Sequence, residues 1–161
     1  MAWTAPKTDF APGDILNAAQ MNAIGDNLVE LSPFFAAWTS WAGTLQVFQN
    51  ADRTSINTYA NYLQVGKLVI VSASITITAT GSAGSRIEVR GLPVASATNV
   101  PINGNGFYLD AGTAGYPVGV QNVTTTSLAF AYDTQAFIGQ SPSFATANGD
   151  TLNFTVMYEA A

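Results

Sequence analysis

The chain has 161 residues, of which 48% are hydrophobic and only 9% charged, and its formal net charge is −5. This length and apolar content suit one ordinary domain with a short extension, and they suffice for a buried core. The five Lys and Arg residues are scattered, and none follows Arg90. Nucleic-acid binding requires clustered basic residues, and anionic membranes attract them, so this composition argues against both kinds of partner.

The chain contains no Cys and no His. Their absence removes disulfides, thiolate sites, Ser-His-Asp catalysis and most zinc sites. The acidic residues are scattered, and Asp110 and Asp150 fit turns better than catalysis. A glycosidase pair assembled from distant carboxylates is the remaining enzymatic alternative, which so few acids disfavour. We therefore predict a protein that is not an enzyme and has no cofactor or metal.

The residues before about position 36 differ in pattern from the rest. Pro6 and Pro12 favour extended backbone, which predicts an irregular N-terminal arm. Asn17 followed by Gln20 resembles a capping box, and predicts that one short helix begins there. Ser32-Pro33 ends this helix. No stretch is long and apolar enough to span a bilayer. Residues 1–10 lack the basic region and apolar run of a secretory signal, so we expect synthesis in the cytoplasm.

One face of the predicted helix is apolar because four side chains recur at spacings of 3, 4 and 3, namely Met21, Ile24, Leu28 and Leu31. A helix of about 15 residues with an interior glycine is marginal alone. The stripe must therefore pack against something. The β domain of the same chain, a sister chain and another protein all remain open.

From about residue 36 onward, short strands separated by turns are predicted. The clearest runs from residue 62 to residue 80, with Val69 and Val71 on its buried face and Leu68 and Ile70 on the opposite face. Residues 81–84 form a turn. Residues 86–90 return as the second strand of a hairpin, with Arg86, Glu88 and Arg90 outward.

Further strands are predicted at 106–110, 116–123, 127–133 and 151–159. This pattern indicates a mostly β protein: an extended arm and one short helix (1–35), followed by a β-sandwich or jelly-roll-like domain (36–161). A shared core is expected from Val71, Ile75, Ile87, Val89, Phe154 and Val156.

Aromatic pairs three residues apart occur at Trp38 with Trp41 and at Tyr59 with Tyr62. Exposed aromatic rings can stack on sugars, but packing in the core or at a subunit interface is the favoured interpretation.

An ordered set of short motifs resembles bacteriophage virion structural proteins over nearly the whole chain. The N-terminal motifs are WTAP (3–6), FAPGD (10–14), LNAAQMN (16–22) and DNL (26–28), and the later ones are YLQVGKLV (62–69), LPVA (92–95), GDTL (149–152) and YEAA (158–161). The resemblance rests on the order of the motifs along the chain and not on any one of them. Gly25 departs from the pattern, because a charged residue is usual there.

The resemblance implies a non-enzymatic structural protein on the exterior of a phage particle, often trimeric, made in the bacterial host. A short chain with one β domain and one anchoring arm favours capsid decoration. The alternative is a tail-fibre or tail-tip receptor-binding module that recognises carbohydrate. Expected partners are sister chains, a major capsid or tail protein and, in the alternative, a host surface glycan. The predicted partner interface consists of Trp3, Phe10, Met21, Ile24, Leu28, Leu31, Leu68 and Ile70.

Overall fold

A computed structural model describes residues 17–31, 38–41, 46–53, 55–98, 102–133 and 136–161. The chain divides into two compact units, Met1–Ala37 and Trp38–Ala161, and each is described by itself. The predicted arm and the predicted domain boundary lie outside the described residues.

Helix α1 (Ala18–Leu31) is the described part of the first unit. Asn17 caps it: its Oδ1 accepts a hydrogen bond from the backbone N–H of Gln20, and its own N–H donates to Gln20 Oε1, each at 2.9 Å. These reciprocal bonds satisfy two donors that would otherwise lack partners at the helix start. The predicted capping box and helix are confirmed.

The second unit consists of antiparallel strands joined into a single sheet. Their bounds are β1 (Thr39–Ser40), β2 (Gln46–Phe48), β3 (Asp52–Arg53), β4 (Ser55–Val65), β5 (Leu68–Ile77), β6 (Glu88–Arg90), β7 (Asn103–Asp110), β8 (Ala114–Thr124), β9 (Ser127–Asp133), β10 (Ala136–Phe137) and β11 (Thr151–Glu159). The order across the sheet is β1-β4-β5-β11-β7-β8-β9-β6-β2-β3, and β10 pairs with β9.

This sheet is curled into a half-barrel, so the predicted mostly β fold with one short helix is confirmed. The sequence predicted the two packed sheets of a sandwich or jelly roll, whereas the described strands belong to one continuous sheet whose inner face encloses the core. The final strand, β11, lies in the interior of the sheet, where it pairs with β5 on one side and β7 on the other.

The core is formed by the residues that alternate onto the concave, inner face. Along β5 every second residue from Val69 to Ile77 is buried, and along β11 Leu152, Phe154, Val156 and Tyr158 are buried. The Phe130 and Phe154 rings meet with centroids 5.3 Å apart, although β9 and β11 are not neighbours in the sheet. All six residues predicted for the core lie in it.

Two predictions about the strands are wrong. Residues 62–80 do not form one strand, because Gly66 and Lys67 turn the chain back and join β4 to β5 as a hairpin. Gly66 has φ +59°, a conformation that favours glycine, and a two-residue loop of this kind suits the twist of a hairpin. Residues 86–90 do not pair with β5 either, since β6 pairs with β2 and β9.

Glu88 was predicted to face solvent, but it is buried. It lies between two arginines: Arg86 Nε donates to Oε1 at 2.6 Å, and Arg90 Nη2 donates to Oε2 at 3.1 Å. The Arg90 guanidinium in turn lies 3.3 Å from the centroid of the Phe48 ring. Two charge-assisted contacts compensate the desolvation of the carboxylate, which explains its burial.

The loops beyond β5 are held together by Gln49, whose side chain is fully buried. Its Nε2 donates to the carbonyls of Ser85 (3.1 Å) and Phe144 (2.9 Å), and its Oε1 accepts from the N–H groups of Ser82 (3.1 Å) and Thr146 (2.9 Å). One amide therefore satisfies four backbone groups of two loops that are distant in sequence.

Asp150 is also buried, at the turn before β11. Its carboxylate accepts hydrogen bonds from the Tyr108 hydroxyl (2.6 Å) and from the N–H groups of Ala111 (2.9 Å) and Ala147 (2.7 Å). Burial and the bond to Asp150 raise the pKa of Tyr108 well above its ordinary value. The predicted turn role of Asp150 fits this position, where the side chain connects the β7–β8 turn to the start of β11.

Candidate binding surface

The convex, outer face of β4, β5, β11 and β7 displays side chains that alternate with those of the core. The register places Leu63, Ile70 and Met157 side by side on three neighbouring strands. Leu68 lies next to them, opposite Glu159. Leu68 and Met157 are exposed, and Leu63 and Ile70 are half-buried. We call these four residues the apolar patch.

The charged groups at the border of the apolar patch are weakly coupled. Lys67 Nζ lies 3.5 Å from Glu159 Oε1, and both side chains are largely solvated. An exposed ion pair of this kind contributes about 0–1 kcal/mol to the free energy of folding. The four side chains of the patch are apolar and face outward, so the patch is suited to contact with another apolar surface.

Next to the apolar patch, the same strands form a shallow groove. Its floor consists of Ser72, Ser74, Asn105, Asn153 and Thr155, and the aromatic rings of Tyr59 and Phe107 flank it. The register sets Tyr59 beside Ser74, Ser74 beside Asn153, and Asn153 beside Phe107. The two rings are therefore attached three strand spacings apart, roughly 14 Å at about 4.8 Å per spacing. We call this surface the neutral groove.

The predicted interface residues fall into three groups. Trp3 and Phe10 lie outside the described residues. Met21, Ile24 and Leu28 have exposed side chains on α1, where Leu31 is the last residue. Leu68 and Ile70 lie on the outer face, as the alternation predicted, and both belong to the apolar patch.

The aromatic pairs divide between core and surface. Trp41 and Tyr62 pack against the core, as favoured from the sequence, whereas Trp38 and Tyr59 are exposed. The neutral groove could not be predicted from the sequence, because its residues come from four strands that are not consecutive along the chain. The spacing of Tyr59 and Tyr62 was a signal, but it could not show which ring faces outward.

Another group of aromatic rings lies on the inner side of the sheet. The Phe144 ring stacks on Tyr108 and on Tyr116 at centroid distances of 5.3 and 5.4 Å, and Tyr132 meets Tyr116 edge-on. These contacts are core packing, and Tyr132 is the exposed end of the cluster.

Within the part of the chain that the structure describes, no group of three or more acidic side chains is close enough to hold a metal ion. No described helix has the length and apolar character needed to cross a membrane. The arrangement on the outer face offers apolar contact at the patch, and hydrogen bonding with ring stacking at the groove.

Comparison of the chain with protein-family models, with curated proteins and with solved structures found no match.

Proposed function

We propose that this protein is a non-enzymatic structural protein on the exterior of a bacteriophage particle, where it decorates the capsid. The ordered motifs of the sequence are the reason for naming a phage particle. The structural observation that supports a contact role is the presence of an exposed apolar surface on each unit: the stripe on α1 and the apolar patch on the sheet. One surface can bind the particle and the other can bind copies of the same protein.

Attachment is assigned to residues 1–35. Met21, Ile24 and Leu28 present apolar area to solvent on a helix that is too short to be stable without packing. A phage with a deletion of codons 2–35 should still produce a soluble, folded β domain, because the core belongs to the second unit. That domain should be missing from purified particles. Incorporation at the normal level would contradict the assignment.

Self-association is assigned to the apolar patch. Residues that would be polar on a solvated sheet face are here Leu63, Leu68, Ile70 and Met157. A second copy that covers this face would remove its apolar area from water. The expected number of copies, three, comes from the resemblance to phage proteins.

Capsid and tail locations are distinguished by labelled-antibody electron microscopy of intact particles. Label distributed over the head supports the decoration function. Label confined to the tail tip would support instead the second candidate function, a receptor-binding module of the tail. The neutral groove favours that second candidate, because it is an exposed site with the chemistry of a carbohydrate-binding surface.

A further inference from the structure

The neutral groove is flanked by two exposed aromatic residues. The Tyr59 and Phe107 side chains are 46% and 44% exposed. Tyr59 follows a β-bulge in β4, an irregularity that locally redirects side chains. The Phe107 ring covers Gly115 on β8 so closely that a Cβ there would collide with it. Gly115 therefore leaves room for the ring in this position.

The floor between the rings offers uncharged hydrogen-bonding groups. Ser72 Oγ and Thr155 Oγ1 bond to each other at 3.2 Å. Ser74, Asn105 and Asn153 form no side-chain hydrogen bond with any other described residue, so their donors and acceptors face water. An amide offers two donors and an acceptor, and a hydroxyl offers both functions.

The electrostatic character of the groove restricts its ligand. None of the residues described as lining it is charged. A strongly ionic ligand would find no counter-charge there, and losing its hydration would be unfavourable. A neutral ligand rich in hydroxyl groups would lose little free energy on desolvation, because amides and hydroxyls on the floor can replace the hydrogen bonds that it makes with water.

We propose that the neutral groove binds a short neutral oligosaccharide. The apolar faces of two of its rings stack on Tyr59 and Phe107, and hydroxyl groups between them bond to Asn105, Asn153 and Ser74. A second copy of the chain fits the groove less well, because the polar floor interrupts the apolar area that such a contact would bury; the adjacent apolar patch suits it better. The proposal deepens the second candidate function and does not depend on where on the particle the protein lies.

The test is isothermal titration of the purified full-length protein with soluble tetrasaccharides of glucose, mannose, galactose and N-acetylglucosamine, and with an anionic galacturonate tetramer. At least one neutral tetrasaccharide should bind, and the anionic one should not. Tyr59→Ala, Phe107→Ala and Asn153→Ala should each raise the Kd about tenfold, as truncation of an anchoring side chain commonly does. The matched control is Tyr132→Ala, because Tyr132 is 47% exposed but lies outside the groove. It should leave the Kd unchanged.

Because Phe107 covers Gly115, Phe107→Ala could reduce folding. Phe107→Leu keeps an apolar side chain over Gly115 but removes the aromatic ring. Phe107→Trp keeps an aromatic ring. The Kd should rise about tenfold for Phe107→Leu and stay close to the wild-type value for Phe107→Trp. The proposal is overturned if no neutral tetrasaccharide binds at millimolar concentration, or if Tyr132→Ala weakens binding as much as Tyr59→Ala. It is also overturned if the groove variants change only the sedimentation mass. Each of these results leaves the labelled-antibody experiment, and so the virion assignment, unaffected.

Discussion

Replacement of Phe154 by Ala tests the core at the contact between side chains of β11 and β9. Phe154 is only 3% exposed and projects from the interior strand β11. It contacts Phe130 at a ring tilt of 60°, and its Cβ lies 2.9 Å from the point where a side chain on Gly106 would begin. A side chain at position 106 would therefore collide with Phe154 at its Cβ.

The expected loss in the free energy of unfolding is about 3–5 kcal/mol, the usual cost of truncating a buried phenylalanine and leaving a cavity. The aromatic contact with Phe130 accounts for about 0.5–1.5 kcal/mol of such a loss. Since Phe154 is held by strands on both sides, the backbone has little freedom to collapse into the cavity. We therefore expect the upper half of the range.

The measurement is urea unfolding of the wild type and the variant, followed by circular dichroism and tryptophan fluorescence and analysed by linear extrapolation. Asn153→Ala, one residue away on the exposed face, is the matched control and should change the free energy of unfolding by less than about 0.5 kcal/mol. A loss below about 1 kcal/mol for Phe154→Ala would show that the inner and outer faces of β11 have been interchanged.

Three further predictions concern the polar interior and the assembly. Gln49→Leu should lower the free energy of unfolding by at least about 3 kcal/mol, because buried backbone groups of two loops lose their partners, whereas the exposed Gln121→Leu should have little effect; equal losses in urea unfolding would argue against the role of Gln49. Burial raises the pKa of Tyr158 to about 12 from 10.0, so the folded state retains a proton that the unfolded state releases, and stability should fall as pH rises from about 10 to 12. Tyr158→Phe lacks this ionisation, so its stability deficit at pH 8 should shrink by up to about 2–3 kcal/mol at pH 12; a deficit independent of pH would refute the shift. Sedimentation equilibrium of the full-length protein should give a trimer, and Leu68→Asp with Met157→Asp should reduce it to the 16.8 kDa monomer. A wild-type monomer at micromolar concentration would contradict self-association, provided that assembly does not require the particle as a template.

Local patterns in the sequence predicted the strands well where one face of a strand is buried and the other is exposed to solvent. The alternation in β5 and β11 identified which residues point inward, since a shift by one residue would move Val69, Val71, Ile75 and Ile77 to the outer face. The helix cap at Asn17 could be predicted equally well, because both of its hydrogen bonds are made within four residues.

The pairing of the strands could not be predicted from local sequence patterns. Val65 and Leu68 flank the Gly66–Lys67 turn with apolar side chains, so the apolar run continues through the turn and conceals it. The position of β6 depends on contacts with β2 and β9, which are remote in sequence. The assembly of the neutral groove follows from such remote neighbours, and for that reason local patterns missed it.

The interior position of β11 has a consequence for synthesis of the protein. It is translated after every other described strand, yet it alone joins β5 to β7. Until it emerges from the ribosome, the nascent chain can form two separate sheet fragments, each with an open edge able to pair with another chain. Folding must therefore be completed after translation of residues 151–159, and a premature stop codon before Thr151 should yield insoluble fragments instead of a shortened domain.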